Sequence, residues 1–122
     1  MRVFIVFIVF LFFSCSGLKT KTELKGKRIC KEFRPYAVAS FSDENVGIFP
    51  FCDRFVVIKA KKEREGINAE YKWISENFPG YKRLKQTLAI CDEYLIDLIV
   101  IKLPNGDLKN MCFDISSFFG KW

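Results

Sequence analysis

Residues 94–115 read YLIDLIVIKLPNGDLKNMCFDI. Tyr94 to Leu103 is apolar on both alternating faces apart from Asp97 and Lys102, the pattern of a central strand covered twice. Pro104-Asn105-Gly106-Asp107 follows, and Asn-Gly between apolar runs is the strongest short-range hairpin signal in the chain. Leu108 to Ile115 is then the returning strand. Working back toward the amino terminus, Lys82 to Ile90 alternates, with Leu84, Leu88 and Ile90 on one side, and Asp92-Glu93 fits a turn into Tyr94. These three segments predict an antiparallel three-stranded meander.

The preceding segment changes period. Ile67, Tyr71, Ile74 and Phe78 fall at i, i+4, i+7 and i+11, one stripe of an α-helix. The reading places a helix over 68–78, with Asn68 as N-cap, Glu70 in the first turn and Pro79-Gly80 as the stop. Trp73 lies off the stripe, either widening the buried face or partly exposed. Lys61 to Glu65 (KKERE) reads as a solvated turn. Phe55 to Ala60 (FVVIKA) is a β-branched strand. Phe33 to Phe41 is strand-like, and Pro35 assigns it to an edge or a strand start. Leu18 to Lys27, polar and lysine-rich, reads as a flexible tether. The expected fold class is α+β, an antiparallel sheet packed with one main helix.

Composition excludes several functions. The chain has 122 residues, a net charge of +6 and no histidine. Without histidine there is no Ser-His-Asp triad, no Cys-His dyad and no imidazole metal ligand. No glycine-rich phosphate loop is present, so no cofactor and no metal is expected. The basic residues are spread along the chain rather than gathered in one stripe, so nucleic acid is not an expected partner.

The amino terminus explains much of the 50% apolar content. Arg2 precedes an uninterrupted apolar run, Val3 to Phe13, followed by Ser14-Cys15-Ser16-Gly17. A membrane span needs about 20 apolar residues. The run is shorter and fits the h-region of a signal peptide; the other reading is a buried N-terminal strand. Phe12-Phe13-Ser14-Cys15-Ser16 resembles the lipobox of bacterial lipoproteins. In that family a small residue precedes a cysteine that becomes the first mature residue and carries lipid on its sulfur. Ser14 and Cys15 fit, whereas Phe12 and Phe13 depart from the strict Leu and small residue. The resemblance implies a signal peptide over 1–14, acyl chains such as palmitate on the lipidated Cys15, and a tether over 15–27. A single domain over 28–122 then faces the periplasm or the exterior from the outer membrane or cell surface. Secretion as a soluble chain after ordinary cleavage, or an uncleaved anchor, are the alternatives.

Cys30, Cys52, Cys91 and Cys112 remain, an even number in an exported domain. They predict two disulfides; the alternative is four buried thiols acting as small hydrophobes. If Asn105-Gly106 and Asp92-Glu93 are both two-residue turns, Ile99 faces Cys112 and Cys91 faces Tyr94. Cys91 and Cys112 then lie on opposite sheet faces. Each is therefore expected to bond Cys30 or Cys52 rather than the other.

Residues 68–115 run helix, Phe78-Pro79-Gly80-Tyr81, strand, strand, Leu103-Pro104-Asn105-Gly106-Asp107, strand. This order resembles the PepSY-like and β-lactamase-inhibitor-like exported bacterial domains, where a helix ending in Phe-Pro-Gly packs on a three-stranded meander. The very apolar Tyr94–Leu103 strand and the cysteines depart from that pattern. The resemblance implies an α+β fold and a binding or inhibitory role in the cell envelope, and it supplies no catalytic residues.

The expected function is a lipid-anchored, non-catalytic binding module of the bacterial envelope, with an envelope or secreted protein as its partner. Candidate binding residues are Phe49, Phe51, Trp73, Tyr94 and Trp122, aromatics in excess of what one helix and a few strands bury; completing the core is the competing role. An inhibitor of a secreted enzyme, presenting residues 42–54, and a small enzyme with a pocket around Asp97 or Asp92 are the alternatives. Asp97 is the oddest carboxylate. It shares a face with Ile99, so it is either buried beside a Lys or Arg or open to solvent near the strand start. A shifted pKa there would be a functional sign.

Overall fold

The computed structural model describes residues 20–121. The expected signal segment 1–14, the expected lipidation site Cys15 and the candidate binding residue Trp122 lie outside the described residues. In chain order the elements are β1 (Lys21–Leu24), β2 (Arg28–Ile29), β3 (Phe33–Ser40), β4 (Phe51–Cys52), β5 (Arg54–Lys59), α1 (Glu63–Asn77), β6 (Lys82–Cys91), β7 (Tyr94–Lys102) and β8 (Leu108–Asp114). The fold is α+β. Six strands form one sheet in the order β1-β5-β8-β7-β6-β3, and β2 pairs with β4 in a second, two-stranded sheet. All pairs in the large sheet are antiparallel except β5 with β8. The meander β6-β7-β8 and the edge position of β3 agree with the sequence reading.

The two-sided apolarity of β7 has the cause inferred for it. Ile99 and Ile101 join Val56, Ile58, Met111 and Phe113 beneath α1. Ile96, Leu98 and Val100 point to the other face, where they meet Phe55, Ala89 and all four described cysteines. Both layers are buried, so a polar group on either face of β7 needs a hydrogen-bond partner there.

Helix α1 starts earlier than predicted. Its first turn is Glu63–Gly66, with Lys62 at the N-cap and Glu63 and Glu65 near the positive end of the helix dipole. The KKERE run therefore opens the helix rather than forming a turn, and Asn68 is not its cap. The buried stripe is also rotated: Gly66, Glu70 and Ile74 face the sheet, whereas Ile67 is exposed. Gly66 causes the rotation. A Cβ there would lie 2.5 Å from ring atoms of Phe118, so only glycine lets the helix settle on that ring. Phe118 comes from the aromatic C-terminal segment, which folds back onto the core as expected. Trp73 is half-buried against Phe78 and Phe113.

The β7–β8 loop is one residue out of the expected register. Lys102 pairs with Leu108, so five residues, Leu103–Asp107, form the connection. The Leu103 carbonyl accepts from the Gly106 amide, and Gly106 adopts φ +95, adding a left-handed residue to the turn. Cys112 consequently sits opposite Leu98 rather than Ile99. Because side chains alternate, this slip moves Cys112 to the same face as Cys91, contrary to expectation. The bonded pairs are nevertheless Cys30–Cys91 and Cys52–Cys112, each joining a meander cysteine to Cys30 or Cys52. Position along the sheet, not opposite faces, keeps Cys91 and Cys112 unbonded to each other: Cys91 ends β6 opposite Tyr94, while Cys112 lies two strands away opposite Leu98.

The sheet also recruits part of the expected tether. Lys21–Leu24 is an exposed edge strand along β5. Backbone pairing needs no apolar side chains, and the open edge of β5 supplies the partner groups.

Candidate functional site

Helix α1 and strands β3, β6 and β7 bound a groove with a volume of about 420 Å³. Its walls include Ala37 and Ala39 of β3, Leu88 of β6, Ile67 of α1, and Phe41, Phe118 and Phe119. Glu70, Asp97 and Gln86 line it as well, with Glu63 contributing a further carboxyl group. The side chains converge for reasons of register. Asp97 pairs with Leu88, and Gln86 with Ile99, on the helix side of the sheet. A bulge between Arg83 and Lys85 then places Arg83 opposite Ile101, on that same side. Without the extra residue, alternation would turn Arg83 away from Gln86.

The resulting network is continuous. Gln86 Nε2 donates to Asp97 Oδ1 at 2.9 Å and Oδ2 at 2.7 Å. Gln86 Oε1 accepts from the Tyr71 hydroxyl at 2.8 Å and from Arg83 Nη1 at 3.3 Å. Arg83 also donates to the Tyr71 hydroxyl, and its guanidinium stacks 3.6 Å from the Phe41 ring centroid. Asp97 is therefore buried, as one of the two sequence alternatives required, but its direct partners are Gln86 and Glu70 rather than a Lys or Arg.

Glu70 is the member that sequence reading missed. It is 1% exposed and hydrogen-bonds Asp97. Burial pushes its carboxyl up to about 11, helped by that hydrogen bond and by the Asp97 charge. Burial raises Asp97 too, but hydrogen bonds from Glu70 and Gln86 and the Arg83 charge oppose the rise. Asp97 therefore gives up its proton before Glu70, which makes Glu70 the acid of the pair and Asp97 the acceptor. Glu70 Oε1 and Glu63 Oε2 are both buried without a hydrogen-bond partner. The available signal was the 66–70–74 spacing, which places Glu70 on the same stripe as Ile74. Reading Glu70 as a dipole-compensating first-turn residue hid it.

The other candidates lie elsewhere. Tyr94 stacks edge-on to Phe55 at 5.3 Å and lies beneath Arg28, on the disulfide side of the sheet. Trp73 is on the helix side, so the two cannot share one surface. Phe51 is half-buried in β4, and Phe49 is 61% exposed in the loop before it. Segment 42–54 is held by a hydrogen bond from Lys85 Nζ to the Val46 carbonyl, the Lys102–Glu44 ion pair and the Cys52 disulfide. Asp92 is a left-handed turn residue with φ 56. It accepts from the Glu32 and Lys31 amides and from Arg28, which hold its carboxyl below the usual range. Its chemistry secures the 28–32 segment beside Cys91.

The sulfurs of Cys30, Cys52 and Cys91 lie within 4.8 Å of one another. All three are committed to disulfides, and a metal would need thiolates. The two disulfides are compatible with an extracytoplasmic location. No described helix is long and apolar enough to cross a membrane. No protein-family model, curated protein or solved structure matches the chain.

Proposed function

We propose that this chain is a lipid-anchored, non-catalytic binding domain of a bacterial envelope, and that it takes its ligand in the groove over Glu70 and Asp97. The lipobox-like segment ending at Cys15 and the two disulfides support the location. The groove carries the functional part of the reading. Binding sites are typically apolar concavities with a few convergent polar groups, and this one has a buried, incompletely satisfied carboxyl pair as its floor. A native protein leaves a buried polar oxygen unpaired only at a cost of about 1–3 kcal/mol, and a ligand that supplies a donor removes that cost.

Filling the groove tests the reading. Ala39 is exposed on edge strand β3 and lines the cavity, so Ala39→Trp occupies the space without disturbing the core. Native mass spectrometry of the domain released from envelope is expected to show a bound small molecule in the wild type and none in Ala39→Trp, with both unfolding at similar temperatures. Equal retention by both proteins contradicts the assignment. Lipidation is read in the same spectra: an N-terminal diacylated Cys15 is expected, and an unmodified chain starting elsewhere contradicts it.

The same pair favours a second reading, a small envelope enzyme, because two carboxyl groups sharing one proton can divide acid and base roles. Their direct hydrogen bond is too close for a glycosidase, whose carboxyl groups stand about 5–10 Å apart. Hydrolysis of a peptide or ester library that disappears in Asp97→Asn would favour the enzyme.

A further inference from the structure

We infer that the groove selects a primary ammonium ion carried on an aliphatic chain; the inference rests on the groove being a binding site. Three carboxyl groups, Glu63, Glu70 and Asp97, line the cavity, and no Lys or Arg among the described residues lines it, although the chain carries a net charge of +6. The charge of the groove therefore opposes that of the protein. Two of its buried oxygens, Glu70 Oε1 and Glu63 Oε2, accept no hydrogen bond. Carboxyl oxygens without partners ask for donors, and an ammonium brings three and no acceptor.

The cations around the groove stand outside its lining. Arg83 stands beside Asp97, but its Nη1 is taken up by Tyr71 and Gln86 and its face by the Phe41 ring, while Lys62, Arg64 and Lys121 line a neighbouring pocket with Glu63. Among the described residues, β3 and the chain after β8 bring Ala37, Val38, Ala39, Phe41, Ile115, Phe118 and Phe119 to the groove, all uncharged. Asp97 loses its proton before Glu70, so the floor offers a carboxylate on Asp97 once it ionises and an unpartnered oxygen on Glu70. A charge-assisted hydrogen bond to Asp97 and a second to Glu70 Oε1 would hold the ammonium. The apolar walls would bury its chain, each methylene adding about 0.8 kcal/mol.

The test compares three probes of equal length, hexylammonium, hexanol and hexanoate, by amide chemical-shift titration of the folded domain at pH 7. Hexylammonium is expected to shift groove amides at Ala37, Ala39 and Leu88 and to bind at least about tenfold more tightly than hexanol, the ratio for one charge-assisted bond. Hexanoate is expected to bind most weakly. In Asp97→Asn the ammonium-to-alcohol ratio should fall toward one while hexanol still binds, which also reports that the variant is folded. If that variant fails to fold, Glu63→Gln decides, with a smaller fall in the ratio expected and an unchanged ratio counting against the inference. Hexanol or hexanoate binding the wild type as tightly as hexylammonium overturns the inference and leaves the groove assignment standing. Shifts confined to residues outside the groove for all three probes overturn both. A lysine-containing peptide that competes with hexylammonium would place the ammonium on a polypeptide; its failure to compete would place it on a free amine.

Discussion

At Glu70, burial and a hydrogen bond to Asp97 act in the same direction, and both keep the carboxyl protonated. The sign of the pH dependence follows. The unfolded chain ionises this group near 4.5, whereas the folded chain keeps its proton to about 11. Between those values the folded state binds more protons, so the Glu70 contribution is fully present below pH 4.5 and is lost as pH rises. From this group alone stability falls on the order of 1 kcal/mol per pH unit. Glu70→Gln mimics the protonated acid and cannot ionise. Urea unfolding is expected to show wild type and variant within about 1 kcal/mol of each other at pH 5, and the variant more stable by about 4 kcal/mol at pH 9, at about 1 kcal/mol per unit. Parallel pH profiles would show that Glu70 is ionised in the folded protein.

At the level of elements, the chain announced its strands better than its helix. Hydrophobic alternation and the Asn-Gly signal located β6, β7 and β8, because a sheet buried on two faces leaves few other patterns for an apolar ten-residue run. The helix stripe was misread by about one position because its contacts are not those of an isolated amphipathic helix. A glycine meets the Phe118 ring, and a protonated glutamate takes a site that hydropathy reserves for leucine. The loop Leu103–Asp107 was misjudged by one residue, and that alone inverted the expected face of Cys112. The bulge that brings Arg83 to Gln86 left no mark in the sequence, since it depends on pairing with β7. Gly66→Ala gives a test at this scale. Alanine is the better helix former by about 1 kcal/mol, yet its methyl would strike Phe118. Thermal and urea unfolding are expected to show a net loss of about 1–3 kcal/mol, and a gain in stability would contradict the helix–Phe118 packing.

Over the whole molecule, the sheet is clamped differently on its two faces. Helix α1 covers one by hydrophobic packing, while the other carries short segments, 28–33 and 41–52, that have little regular structure of their own. The disulfides fasten those segments: Cys30–Cys91 spans 61 residues and Cys52–Cys112 spans 60. Long closed loops remove much unfolded-state entropy, so replacing Cys52 and Cys112 together by alanine is expected to lower stability by about 2–4 kcal/mol. Hydrogen exchange should then show faster opening of 41–52 than of β7. Uniform opening of the whole sheet would show that the bond secures more than that face. The groove lies on the helix side, where neither disulfide reaches, so its ligand binding should survive this double replacement. Carbon-13 titration of the Glu70 and Asp97 side-chain carboxyl carbons reads directly whether Glu70 is the protonated member of the carboxyl pair on the groove floor. The Glu70 carbon is expected to keep the shift of a protonated acid through pH 8, while Asp97 ionises at lower pH than Glu70. Ionisation of Glu70 in the ordinary carboxylate range, near pH 4–5, would contradict it.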